Sequence, residues 1–295
     1  MTQTTIILTL GLVSALAFGI ADFFGAKASK RLGPITSAFC VQAASTVMYL
    51  AYYALFVHRM PLMSGQALAY TITSSVLIVL GVCALYRAFE IGPVSLASPL
   101  SAAYPLIAAI VGLLFFHARL DGWQILGVAL LVAGIMAVSG IFSVRASEWR
   151  LGKGQRLALW ATLAWGIGYP LLGKAIEASG WREVACIQML LMPVVIALIL
   201  AAVRKQESVD IRLVATTLRS PLTVVAGITM VIAELAINVG YEHGQAAGTL
   251  IVAISSAYPA ITILLALRHF KERISLWSAL GVAATICGIA VLLLT

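Results

Sequence analysis

A carboxylate stands inside one of the long apolar runs of this chain. Glu234 is followed by Asn238 and Tyr241 four and seven positions later, so the three side chains share one face of a helix. A charged group at the centre of a membrane costs roughly 2.5–3.5 kcal/mol on insertion scales, and such residues usually face a cavity. We therefore expect these three residues to line a substrate path, with Glu234 binding a cationic group or carrying a proton. The alternative is a structural, hydrogen-bonded carboxyl.

Aromatic and proline residues recur at corresponding places in the two halves of the chain. A proline removes a hydrogen-bond donor and kinks a helix, and paired interruptions of this kind point to a binding site near the membrane midplane. We predict that four aromatic residues line the site and that two prolines kink the helices; packing alone is the alternative. These residues are Phe18, Trp165, Tyr104, Tyr258, Pro105 and Pro259.

Other charged residues lie towards the ends of apolar runs and are candidates for gating or coupling. Asp22, Arg87 and Glu90 are expected at one mouth of the path, and Glu242 with His243 at the other. Arg87 and Glu90 are three positions apart, so they are also placed to pair with each other.

Motifs for enzymatic or ATP-driven chemistry are absent from the sequence. It contains no H-E-x-x-H, no G-x-G-x-x-G and no phosphate-binding G-x-x-x-x-G-K-[ST]. The four cysteines are isolated in apolar runs, without zinc or disulfide spacing. We expect no catalytic residues, no metal and no cofactor.

The composition is that of a membrane protein. Hydrophobic residues make up 62% of the chain and charged residues only 10%, against roughly 25% charged in soluble domains. The net charge of +8 comes from short basic clusters between apolar runs. Loops beside a membrane explain these clusters, and we expect no nucleic-acid partner.

Hydropathy divides the chain into ten helical spans of about 20 residues, the length needed to cross a bilayer. The apolar runs are continuous, whereas the strands of a membrane barrel would alternate. The fold class is therefore predicted to be all-α, with ten transmembrane helices. The expected spans are 4–25, 34–57, 66–88, 92–116, 122–143, 156–177, 182–203, 220–241, 245–268 and 274–294.

The chain also repeats itself. Phe18-Gly19 and Lys27 recur as Trp165-Gly166 and Lys174 at an offset of 147, and Ala-Tyr-Pro recurs at an offset of 154. Five spans in each repeat is an odd number, so the second repeat should enter the membrane from the opposite side, as in many secondary transporters. We expect a first five-helix repeat at 1–145, a connecting loop at 146–155 and an inverted repeat at 156–295.

Basic residues set the expected orientation. Counted along the predicted spans, 15 of the 19 Lys and Arg residues fall on one side of the membrane. The positive-inside rule places that side in the cytoplasm and both termini outside.

The closing segments of the two halves carry a family resemblance. The first half reads Ala103-Tyr104-Pro105 and later Ala118-Arg119, and the second reads Ala257-Tyr258-Pro259 and later Glu272-Arg273. In these motifs the chain resembles the EamA-type branch of the drug/metabolite transporter superfamily. Members typically carry Glu-Arg in both halves, so Ala118 is a departure. A short stretch, Asn238-Val239-Gly240 with His243-Gly244, resembles bacterial amino-acid exporters of the same superfamily.

The resemblance implies a secondary transporter or facilitator in a bacterial inner membrane that works by alternating access. Amino acids or related metabolites are the first substrate class and export the expected direction. The expected partners are a small-molecule substrate, the lipid bilayer and protons as a coupling ion. The alternatives are an exporter of organic cations or drugs and, from another class, a membrane-embedded enzyme acting on a lipid-linked substrate.

Overall fold

Helices account for the architecture wherever the chain is described. The computed structural model describes residues 2–57, 60–92, 94–117, 119–138, 152–203 and 211–262, with scattered positions from 265 to 291, and these residues contain no strand. The helices are α1 Gln3–Leu32, α2 Pro34–Phe56, α3 Gly65–Ile91, α4 Val94–Ser101, α5 Tyr104–Phe116, α6 Gly122–Val138, α7 Lys153–Ser179, α8 Trp181–Val203, α9 Ile211–Leu218, α10 Pro221–Glu242 and α11 Gln245–Ser255.

Six segments of the described chain are long and apolar enough to cross a membrane. They are Gln3–Leu32, Pro34–Phe56, Gly65–Ile91, Ala97–Phe116, Trp181–Val203 and Pro221–Glu242. A seventh apolar helix, Gly122–Ala137, is shorter. The molecule is therefore a multi-pass helical membrane protein. The predicted fifth span beyond 138, most of the connection at 146–155, the end of the ninth span and most of the tenth span lie outside the described residues.

Matching turns separate the first two helices of each half. Gly33 ends α1 with a φ of 85°, and Gly180 ends α7 with a φ of 82°. Positive φ costs glycine little because it has no Cβ. In both halves the next helix begins at the following residue, Pro34 or Trp181. The sequence offset of 147 is thus also a structural correspondence.

Reciprocal contacts relate the two halves by an approximate two-fold axis. A Cβ on Gly19 would lie 2.9 Å from the carbonyl oxygen of Tyr258, and a Cβ on Gly166 would lie 3.1 Å from that of Tyr104. The helix packing is also reciprocal. Helix α3 packs on α7, and its counterpart α10 packs on α1, the counterpart of α7. Each half therefore presents the same surface to the other.

The helices α2 and α8, which correspond in the repeat, run antiparallel. The Tyr49 hydroxyl donates to the carbonyl of Arg182 at 2.9 Å, near the end of α2 and the start of α8. The Thr46 hydroxyl donates to the carbonyl of Met189 at 2.7 Å, further from those ends. Two-fold-related helices that run antiparallel place the axis perpendicular to their length.

The fourth predicted span is broken rather than kinked. α4 ends at Ser101 and α5 begins at Tyr104, with Pro105 in the first turn of the new helix. A proline in the first turn lacks only an N–H that would be unpaired there in any case. The second half repeats this break, because α11 ends at Ser255 and helix resumes over 258–262, which includes Pro259.

Candidate functional site

A cavity lies where α1, α3, α5, α7, α10 and the helical segment 258–262 meet. Its volume is about 440 Å³. It is lined by Phe18, Asp22, Ile78, Val82, Leu85, Tyr86, Tyr104, Trp165, Tyr169, Met230, Glu234 and Tyr258. Five of the predicted substrate residues and one predicted gate residue therefore meet at one place.

Two carboxyl groups face this cavity from the paired helices α1 and α10. Asp22 is 6% exposed and Glu234 is 5% exposed. The Oδ2 atom of Asp22 and the Oε2 atom of Glu234 have no hydrogen-bond partner among the described residues. Among the described residues, no Lys, Arg or His lines the cavity. The described lining is thus acidic and holds no cation that would balance the two carboxyl groups.

Asp22 lies deeper than its sequence position suggested. The predicted first span ends at residue 25, whereas α1 continues to Leu32. Asp22 therefore lies ten residues before the helix end, within the cavity lining, and not at the mouth of the path.

Aromatic rings line the same cavity as the carboxyl groups. The ring of Tyr104 meets Trp165 edge-on at 5.6 Å and Tyr169 at 5.4 Å, centroid to centroid. The indole N–H of Trp165 donates to the carbonyl of Ile78 at 3.0 Å, which fixes the ring against α3. Phe18 meets Tyr258 edge-on at 6.2 Å. These contacts hold the rings in place before any ligand binds.

The hydroxyl groups at the cavity follow the two-fold relation. The Tyr258 hydroxyl and Ser101 Oγ are hydrogen-bonded at 2.7 Å. Their counterparts at the same offset, Tyr104 and Ser255, also lie beside each other. Both tyrosines thus join the first half to the second at the broken helices.

The two halves differ at the two positions that carry the carboxyl groups of the cavity. Asp22 corresponds at the offset of 147 to Tyr169, and both line the cavity. Glu234 likewise has no acidic counterpart, because Leu80 stands at its offset of 154. Both carboxyls therefore come from the α1–α10 pair, whereas the α3–α7 pair supplies apolar and aromatic groups.

Two residues predicted beside Glu234 lie elsewhere. The amide of Asn238 donates to the side-chain oxygen of Gln188 on α8 at 3.3 Å. Tyr241 is fully buried and packs against Gly173 and Gly248. Neither is among the residues that line the cavity, because Asn238 and Tyr241 lie on the same buried face about 6 and 10 Å further along the helix than Glu234.

The remaining gate candidates lie at the ends of the helices. Arg87 and Glu90 form an ion pair on the exposed face of α3. Glu242 and His243 are exposed at the end of α10. The structure does not bring these four residues to the cavity. Glu272-Arg273 lies outside the described residues.

Six lining residues were not predicted from the sequence: Ile78, Val82, Leu85, Tyr86, Tyr169 and Met230. The repeat itself pointed to Tyr169, since it stands at the counterpart of Asp22. Tyr86 and Met230 carry no such signal, because an isolated Tyr or Met in an apolar run is compatible with packing alone. Within the part of the chain that the structure describes, no group of three His, Cys, Asp or Glu side chains is placed to hold a metal ion.

Comparison with known proteins gives the family. The sequence profile of the EamA-like transporter family matches residues 5–140 and 152–294. The chain belongs to the EamA-like transporter family. The two matches confirm the resemblance found in the closing segments of each half, and they make this EamA-like protein a membrane transporter of the drug/metabolite transporter superfamily.

Two individual proteins resemble this EamA-like chain. An uncharacterized protein of Methanocaldococcus jannaschii is 31% identical over 131 residues, which are 44% of this chain and 93% of that protein. That relative is thus about as long as one matched repeat. A solved crystal structure aligns with a TM-score of 0.68 at 17% identity and covers 95% of each chain. This second likeness shows a shared fold.

Proposed function

We propose that the protein is a secondary transporter whose substrate is a small organic compound with a positively charged amine. One observation carries the proposal: within the described part of the chain, Asp22 and Glu234 each leave a carboxyl oxygen without a partner at a single aromatic cavity that no basic residue lines. The sequence analysis placed organic cations second to amino acids, and we now propose them first.

Charge balance is the physical reason for a cationic substrate. A buried carboxylate without a partner is strongly destabilising, and an ammonium group placed beside it removes much of that penalty. Aromatic rings around the same cavity attract a cation by about 0.5–2 kcal/mol each, depending on desolvation. Phe18, Tyr104 and Trp165 are held in position for that contact.

Amino acids are the second candidate. An amino acid brings a carboxylate as well as an ammonium group, and the lining residues that the structure describes offer that carboxylate no cation. The hydroxyl of Tyr86, which has no partner among the described residues, is the group that favours this candidate, since it is free to donate to a carboxylate.

Protons are the proposed coupling ion. A proton on one of the two carboxyls removes the single negative charge that a substrate amine would balance, so one proton and one amine would exchange at one place. The titratable groups that face Asp22 and Glu234 there are the hydroxyls of Tyr86, Tyr104, Tyr169 and Tyr258.

The transport cycle proposed is alternating access between two inverted five-span halves. We place ten spans in a bacterial inner membrane, with both termini outside the cytoplasm. Because the two-fold axis is perpendicular to the helices, it then lies in the membrane plane. In this cycle the cavity at the junction of the halves opens to one side of the membrane at a time as the halves rock. Export is the direction proposed.

Uptake into proteoliposomes tests the substrate class. Purified protein is reconstituted with a proton gradient, and labelled primary amines, quaternary ammonium compounds and zwitterionic amino acids are supplied in turn. Amines and ammonium compounds should accumulate above protein-free vesicles, and the solute should be recovered chemically unchanged. Accumulation of amino acids but not amines would reverse the order of the two candidates. Chemical conversion without accumulation would favour a membrane enzyme.

A further inference from the structure

A second cavity lies where the end of α1 meets α2, α9 and the start of α10, and its lining residues differ from those of the acidic site. Its empty volume is about 580 Å³. Two basic side chains, Lys27 and Arg31, line it together with the hydroxyl residues Thr217, Ser220 and Thr223. We propose that this cavity binds the phosphate group of an anionic phospholipid.

The two basic side chains of this cavity have no partner among the described residues. Neither Lys27 nor Arg31 forms an ion pair or a side-chain hydrogen bond among the described residues. Lys27 is half-buried and lines the cavity, which leaves its ammonium group available to an anion bound there. Arg31 is exposed at the mouth, where its guanidinium is placed for a bidentate contact with phosphate oxygens.

Buried hydroxyl groups face the same space without partners. Thr223 is 5% exposed and Thr217 is 9% exposed, and neither side chain makes a hydrogen bond within the described residues. The start of α10 adds the backbone N–H groups of Leu222 and Thr223, because the side chain of Ser220 does not cap the helix. Unpaired N–H groups at a helix start form a ready anion site.

The corresponding place in the second half differs in one decisive respect. Lys27 corresponds to Lys174 at the offset of 147, but Lys174 donates to Glu177 at 2.6 Å and lies over the ring of Phe116. The residue three positions after Lys27 is Lys30 instead of a glutamate. A glutamate thus balances the charge of Lys174, whereas Lys27 has no such partner among the described residues and is available to bind an anion.

The apolar residues beside the two cations favour a lipid headgroup over a free anion as the ligand. Phe24, Val41, Leu222 and Ala226 line the cavity beside the cations, which suits a glycerol or acyl segment attached to the phosphate. The basic residues at this end of α1 belong to the side that the positive-inside rule assigns to the cytoplasm. The cytoplasmic leaflet is the one that presents anionic lipid.

Lipid retention by the intact purified protein tests the proposal. Native mass spectrometry counts phosphatidylglycerol and phosphatidylcholine bound to the wild type, to the double variant Lys27→Gln/Arg31→Gln and to Thr223→Val. We expect the wild type to retain one phosphatidylglycerol with at least tenfold preference over phosphatidylcholine. The double variant should lose that preference and Thr223→Val should weaken it, whereas Lys174→Gln, the matched control, should keep it.

Several outcomes would overturn the assignment. Equal retention of the two lipids by the wild type, or undiminished preference in the double variant with a native-like unfolding temperature, would show that the cavity does not select phosphate. Stabilisation of the wild type by millimolar inorganic phosphate, without a preference for phosphatidylglycerol, would assign the site to a free anion and overturn the lipid source.

Discussion

At the scale of single residues, two carboxyl groups on one helix pair give the cavity its charge. Asp22 and Glu234 are both about nineteen-twentieths buried and each has an oxygen without a partner in the described chain. Membrane helices tolerate such groups where they serve a substrate or ion path. The position of these carboxyls, and not the aromatic wall alone, is therefore what the transport proposal depends on.

Neutral replacements of the two carboxyls should separate transport from folding. Asp22→Asn and Glu234→Gln keep shape but remove the negative charge, so amine uptake should fall at least tenfold while the amount of folded protein in the membrane stays near that of the wild type. The pH dependence of the remaining flux should also flatten. Uptake and size-exclusion profiles are measured together.

Glu177→Gln is the matched control, because it also removes one negative charge but lies at an exposed pair with Lys174. It should leave uptake unchanged. Full transport by Glu234→Gln, with an unaltered pH profile, would mean that its carboxyl is structural.

The sequence revealed part of this site. Glu234 was conspicuous because a carboxyl in an apolar run is costly, and Phe18, Trp165, Tyr104 and Tyr258 were found through the repeat. Tyr86 and Met230 were missed because only packing between helices brings them to the cavity. Asn238 was grouped with Glu234 but contacts Gln188 outside the cavity lining, because helical periodicity gives a shared face but not which part of it meets which neighbour.

At the scale of helices, close crossings join the two halves. A Cβ on Gly134 would lie 2.4 Å from the backbone nitrogen of Thr285, and a Cβ on Gly288 would lie 2.6 Å from that of Leu131. Backbone atoms cannot move aside as a flexible side chain does. The glycines at this crossing are therefore required by the close approach of two helices.

Filling the crossing should destabilise the protein. Gly134→Val introduces atoms into occupied space, for which we expect a loss of about 1–3 kcal/mol in the free energy of unfolding. The thermal midpoint of detergent-purified protein is the measurement. Gly65→Val, where no atom lies within 4 Å of the added Cβ, should leave the midpoint unchanged, and an equal shift in both variants would contradict the crossing.

The hydrogen bond between Ser101 and Tyr258 should be detectable as a coupling between helices. Ser101→Ala, Tyr258→Phe and the double variant form a cycle, and we expect a coupling of about 0.5–1.5 kcal/mol in the free energy of unfolding. Thr71→Ala combined with Tyr258→Phe is the control and should be additive. Additivity in the Ser101–Tyr258 cycle as well would show that the 2.7 Å contact contributes nothing.

Much of the helical framework followed from hydropathy. The first three predicted spans correspond to α1, α2 and α3, although α1 runs seven residues beyond its predicted end. The break between α4 and α5 was predicted only as a kink, since a proline marks the place of an interruption but not whether the chain bends or starts a new helix. The short helix α9 was not predicted, because its eight residues lie within a charged connection.

At the scale of the whole molecule, the antiparallel pairing of α2 with α8 supports inverted halves. If each half crosses the membrane five times, both termini lie on the same side, and the distribution of basic residues puts that side outside the cytoplasm. A reporter enzyme that works only outside the cytoplasm should be active when fused at Thr295. Activity of a cytoplasm-only reporter at that position would contradict the topology.

The central claim is that one acidic, aromatic cavity carries a cationic solute from one side of the membrane to the other. Counterflow tests it most directly: proteoliposomes loaded with an unlabelled amine are diluted into a trace of the labelled compound. A carrier with one alternately exposed site should transiently concentrate the label inside, and Glu234→Gln should abolish the transient. Equilibration of the label without an overshoot, or an overshoot of equal size in Glu234→Gln, would contradict the account.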